Sequence, residues 1–114
     1  MENLKRYSIV YAEGAVQDIW EKVDYIEHKF RDPDLAELWY LRLRGAIQDD
    51  LSTLPYKYAV YDREPWKTKG VHLMLFRNDV VLYSIDEQAH TVYIRAVCTK
   101  GRELASHLES HDNI

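Results

Sequence analysis

The chain changes its hydrophobic period once, near residue 70, and that change limits what it can fold into. Before it, apolar residues recur at three- and four-residue steps. After it they fall into three short runs, Val71 to Phe76, Val80 to Ile85 and Thr91 to Cys98, dominated by β-branched and aromatic side chains. Polar steps separate the runs, Arg77-Asn78-Asp79 and then Asp86-Glu87-Gln88-Ala89-His90, as an antiparallel meander requires. A further strand is predicted at the start, where Tyr7, Ile9 and Tyr11 alternate with Ser8 and Val10.

Between these strands the spacing predicts two helices, over about residues 13 to 30 and 33 to 53. Val16, Ile19, Val23, Ile26 and Phe30 trace the apolar stripe of the first, and Leu35, Leu38, Trp39, Leu43, Ala46, Ile47, Leu51 and Leu54 that of the second. The break at Arg31-Asp32-Pro33-Asp34 places a capping aspartate before a proline at the first helical position, where its missing N–H costs nothing. The class is therefore α+β: an N-terminal strand, an antiparallel helical hairpin and a three-stranded antiparallel meander. The expected packing lays both helices on one face of an antiparallel sheet, seats the first strand beside the last and leaves the opposite face free for a partner or substrate.

A chain of 114 residues, 46% hydrophobic, fits one domain spanning 1–114 and can bury a core without staples. Its single cysteine, Cys98, excludes an internal disulfide framework and suits a reducing cytoplasm. No apolar run approaches the roughly 18 residues of a membrane span, so a soluble, unexported protein with no membrane partner is expected. The net charge of −4 is uneven: residues 1–56 carry 7 basic against 11 acidic groups, residues 57–102 carry 8 against 5. That basic excess is too small to imply tight nucleic-acid binding by itself.

Residues 54 to 70, LPYKYAVYDREPWKTKG, have no clear period and form a long connection. In it Tyr56, Tyr58, Tyr61 and Trp66 are interleaved with Lys57, Arg63, Lys67 and Lys69. Such a loop either stacks aromatics on nucleotides or pins itself to the core. No phosphate-binding glycine loop is present, and the five histidines lack a metal-binding pattern. His107 and His111 stand four apart at the end of the chain, which is expected to be a solvated, fraying terminus from Ser110 onward rather than a metal clamp. No metal and no cofactor are expected.

In order and spacing, several short pieces resemble the RelE/ParE superfamily of bacterial type II toxin–antitoxin toxins, also known as plasmid stabilisation proteins. They are Tyr7-Ser8-Ile9-Val10-Tyr11, Leu54-Pro55-Tyr56, Gly70-Val71-His72, Val81-Leu82-Tyr83 with Asp86, and Gly101-Arg102-Glu103, spread over about residues 6 to 108. The resemblance implies a RelE/ParE-like fold ending in a short C-terminal helix. It also implies a cytoplasmic toxin with a cognate antitoxin that lays a helix or strand on it, for which Trp20, Tyr25, Tyr40 and Leu41, off the main stripes, offer a surface.

The family contains two activities. Ribonuclease members cleave mRNA in the ribosomal A site without a metal, using an acid–base residue and fixed cations. Their strand motif R-L-V-Y reads Val80-Val81-Leu82-Tyr83 here, their His or Tyr three residues before the final arginine is Thr99, and their G-x-R is Gly70-Val71-His72. ParE-like members, which inhibit DNA gyrase by binding, lack that acid–base set, and this chain looks more like them. Should it be an enzyme, the candidate catalytic residues are His72, Arg95 and Arg102, with Arg63, Trp66, Lys67, Lys69, Tyr93 and Lys100 contacting the target. Strand alternation would put Tyr93 and Arg95 on one face with Val97 and Thr99; if His72 shares it, the set converges. Otherwise His72 is a partly buried sheet histidine and Arg95 a solvated strand residue.

Overall fold

The computed structural model describes residues 5–111. The elements run β1 (Ser8–Tyr11), α1 (Glu13–Phe30), α2 (Pro33–Leu51), a 3-10 turn at Pro55–Lys57, β2 (His72–Phe76), β3 (Asp79–Asp86), β4 (Thr91–Thr99) and α3 (Leu104–Glu109). The Asp32 carboxylate caps α2 as expected, accepting from the backbone N–H of Asp34 at 3.1 Å and of Leu35 at 3.2 Å. Arg31 ends α1 in the left-handed region, which turns the chain back on itself.

The sheet order is β1-β4-β3-β2, with antiparallel pairing throughout the meander. β1, however, lies parallel to β4, so the sheet is mixed rather than antiparallel. The reason is chain direction. The hairpin brings the chain back beside the start of β1, where the Tyr7 N–H donates to Ser52 O at 2.8 Å. β2 therefore runs the same way as β1, and β4, two reversals later, does so too.

Both helices cover one face. Ala15 and Ile19 of α1 and Leu43, Ile47 and Leu51 of α2 pack on Met74, Val81, Tyr83, Val92, Ile94 and Val97. The expected stripes are shorter than predicted: Val16, Phe30, Leu35, Leu38 and Leu54 are exposed, and Ala15 is buried in their stead. The opposite face is not free. Trp66 from the long connection and Ala105 and Leu108 of α3 form a second core with Val71, Val80, Leu82, Ala96 and Cys98.

Arg95 is the extra residue of a β-bulge, because Leu82 pairs with Ala96 while Tyr83 pairs with Ile94. The bulge shifts the alternation by one. Val92, Ile94 and Val97 all face the helices, and Ala96 and Cys98 face away. Among the described residues no helix is long and apolar enough to cross a membrane.

Candidate functional site

A cleft of about 250 Å³ opens where α1 passes over the end of β4, lined by Glu21, Lys22, Tyr25, Asp79, Val97, Cys98, Thr99 and Arg102. Its floor is a buried polar network. Asp79, 3% exposed, accepts from Lys22 Nζ at 3.2 Å and from Trp39 Nε1 at 2.8 Å, and Lys22 Nζ also donates to Thr99 Oγ1 at 2.8 Å. One carboxylate thus ties α1, α2 and β3 together, and its charge is met by an ammonium and an indole N–H. Burial, then the Asp18 charge, pushes the Cys98 thiol up to about 12, so Cys98 packs as an apolar residue and is no nucleophile at neutral pH.

The candidate catalytic residues do not converge. His72 lies on the helix side with Met74, as alternation predicts; its ring stacks on Tyr83 with centroids 5.1 Å apart, and its Nδ1 lies 2.7 Å from Tyr58 O. Tyr93 and Arg95 precede the alternation shift and face the other way: Arg95 Nε donates to Ser84 Oγ at 3.0 Å and its guanidinium sits over the Tyr93 ring. The bulge thereby separates Tyr93 and Arg95 from Val97 and Thr99, with which unbroken alternation had grouped them. Arg102 stands apart, exposed at the rim of the cleft.

Of the residues expected to contact a target, Trp66 is 4% exposed and belongs to the second core, so the loop is pinned rather than offered. Tyr61 packs beside it, while Arg63 pairs with Glu103 and Lys67 with Asp62 on the surface. Lys69 and Lys100 are exposed. Tyr56 is exposed as well, and its hydroxyl shares Glu87 with Tyr7, at 2.8 Å from Oε1 in each case. The Glu87 bond raises the Tyr56 hydroxyl to about 12.

The hairpin carries two apolar grooves. One is formed by Tyr11, Val16, Ile19, Trp20, Tyr40 and Arg44, with Trp20 and Tyr40 stacked at 5.6 Å. The other lies at the hairpin tip between Phe30, Leu35, Leu38 and Phe76, flanked by Arg42 and Arg77. Tyr25 and Leu41 are exposed outside the first groove.

One cluster escaped the sequence reading. His107 and His111, expected in a solvated terminus, each place Nε2 3.0 Å from Asp18 Oδ2, and the Val97 N–H donates to the same oxygen at 2.9 Å. The i, i+4 histidine spacing was visible; the aspartate 89 residues away from His107 was not. Residues 112–114 of the expected tail lie outside the described residues.

No family model matches the chain, and no curated protein matches it significantly. Two solved structures share its fold. The toxin–antitoxin complex RelBE2 from Mycobacterium tuberculosis contains a chain 18% identical, with a TM-score of 0.64, over 90% of this chain and 100% of that one. The chromosomal ParDE toxin–antitoxin system from P. aeruginosa contains one 15% identical, with a TM-score of 0.66, over 83% and 97%. The chain has the RelE/ParE-like fold.

Proposed function

From that fold, we propose that the protein is the toxin of a type II toxin–antitoxin module and that it acts by binding, as a ParE-like inhibitor of DNA gyrase, rather than by cutting mRNA. The observation that carries this reading is the state of the positions where ribonuclease members hold their chemistry. Val80 stands in place of the arginine and is buried in the second core. Thr99 stands in place of the acid–base residue, and its hydroxyl is held by Lys22. His72, the nearest substitute, is locked against Tyr83 on the helix side, away from Arg95. Loss of one preorganised charge donor costs on the order of 100- to 1,000-fold in rate, and here at least two groups are replaced.

Primer extension on translating ribosomes and a gyrase supercoiling assay test this together. The expected result is no A-site cleavage with inhibited supercoiling. Cleavage abolished by His72→Ala or Arg95→Ala would replace the reading with an mRNA endonuclease.

The cognate antitoxin is proposed to lay an amphipathic helix along the groove of Trp20, Tyr40 and Arg44, where a 54% exposed tryptophan offers the anchor such helices use. The isolated protein should then melt below its complex, since a ligand bound only to the native state stabilises it. Co-expression with the adjacent small protein, size exclusion and thermal melts measure this, and Trp20→Ala should weaken the complex while leaving the free melting temperature nearly unchanged.

A further inference from the structure

From the Asp18–His107–His111 cluster we infer a zinc-binding clasp that holds the C-terminal segment against α1. This inference is independent of the toxin reading. Three side chains from two distant parts of the chain converge. Asp18 projects from α1, His107 lies in α3 and His111 just beyond it, and their potential ligand atoms all lie within 4.8 Å of one another. The site is shielded: the side chains of Asp18, His107 and His111 are 4%, 10% and 13% exposed.

The same side chains that make hydrogen bonds here are a set of metal ligands within reach of one another. Three nitrogens, two imidazole Nε2 and the Val97 amide, crowd on one carboxylate oxygen at 2.9 to 3.0 Å. Ligands around a tetrahedral zinc at about 2.0 to 2.2 Å stand roughly 3.3 Å apart. Each Nε2–Oδ2 separation, 3.0 Å, needs only a small opening to reach that spacing. Two imidazoles and one carboxylate suit zinc better than calcium or magnesium, which take oxygen ligands. The Val97 N–H orients the carboxylate, as outer partners of metal ligands do, and a water can complete four-coordination.

The surrounding backbone also accommodates the His111 ring. A Cβ at Gly14 would stand 2.8 Å from His111 Cγ and Cδ2, so any larger residue there pushes the imidazole out. Gly14 thus leaves the space in which the ring reaches Asp18. The consequence is mechanical: α3 is only six residues long and covers the far face of β4, and the ion would fasten it across the sheet edge to α1.

The test uses the untagged full chain, stripped with chelator and titrated with zinc alone by calorimetry. The cobalt(II) form is read by its visible d–d bands, and the thermal melt is recorded with and without zinc. The expected result is one saturable zinc per chain, tetrahedral cobalt bands, a raised melting temperature and slower hydrogen exchange in α3. His107→Gln and His111→Gln should each lose saturable binding, His28→Gln should retain it, and Gly14→Ala should weaken it about tenfold or more through His111 alone. Absence of stoichiometric binding, equal response to calcium, or unchanged zinc affinity in either the histidine variants or Gly14→Ala would overturn the clasp. Because Asp18 also receives the Val97 amide, the histidine variants rather than Asp18→Asn separate loss of the ion from loss of folding.

Discussion

The two faces of the sheet are covered by different means. The helix side is packed by α1 and α2, whose side chains arrive at regular steps and bury Leu43, Ile47 and Leu51 completely. The far side is closed by one tryptophan from an aperiodic connection and two small contributions from α3. A cover built from long helices is held by continuous backbone ladders, whereas the connection around Trp66 has only short turns, such as Lys67 N–H to Arg63 O and Val71 N–H to Trp66 O. The helix side should therefore unfold with the whole molecule, and the far side should be able to open on its own.

The largest effect is expected from Leu43→Ala. The side chain is fully buried between α2 and the sheet, so its loss should cost about 4 kcal/mol, measured by urea unfolding, with all probes moving together. Trp66→Ala should cost less, about 3 kcal/mol, the low end for a buried aromatic, because the loop can relax into the space. Its signature differs: amide exchange should rise over residues 59 to 71 while α1 and α2 stay protected. If exchange in the helices rises equally, the two faces are one cooperative unit and the contrast fails.

Cys98 sharpens the same contrast without a stability measurement. It is 2% exposed and packs in the far core while also lining the cleft beside α1, so opening of the far cover should speed its labelling by maleimide. Trp66→Ala and Leu108→Ala should each raise the labelling rate at neutral pH by more than Trp20→Ala does. Equal rates in all three would mean that the far cover does not control access to the thiol.

The smallest effect belongs to the exposed Glu87 and the tyrosine hydroxyls bonded to it. Glu87 is held below the usual carboxylate range, first by the Tyr56 hydroxyl and then by that of Tyr7. Its share of stability is present above the ordinary carboxylate pKa and is lost as the pH falls through the lowered value. The Tyr56 hydroxyl, raised to about 12 from 10.0, contributes fully below pH 10 and loses its contribution as the pH rises through about 12. Tyr7, Tyr11, Tyr58 and Tyr83 are raised as well, so tyrosinate absorbance should show several late-titrating hydroxyls, one fewer in Tyr56→Phe, with a melting temperature shift smaller than that of any core variant.

How much was legible differs by element. The Asp32-Pro33 cap, the helix bounds and the three strand runs follow from local chemistry and appear where residue spacing puts them. The direction of β1 was implicit, since a helical hairpin returns the chain to its start, but alternation within a strand carries no information about its partner's direction. The site was less legible. Reading Tyr93, Arg95, Val97 and Thr99 as one face assumes unbroken alternation, and the bulge at Arg95 breaks it.

Periodicity, turn residues and the proline break are local properties, and through them the sequence by itself determined which segments become helices and strands, though not how far each apolar stripe is buried. Tertiary structure alone decided what those elements bring together. Trp66 and the short α3 close the face away from the hairpin, His72 and Arg95 end up on opposite sides of one sheet, and Asp18 meets two histidines from the far end of the chain. These outcomes depend on register and on contacts between residues far apart in sequence. A one-residue shift in register reverses a side chain's face, and nothing in the neighbouring residues signals it.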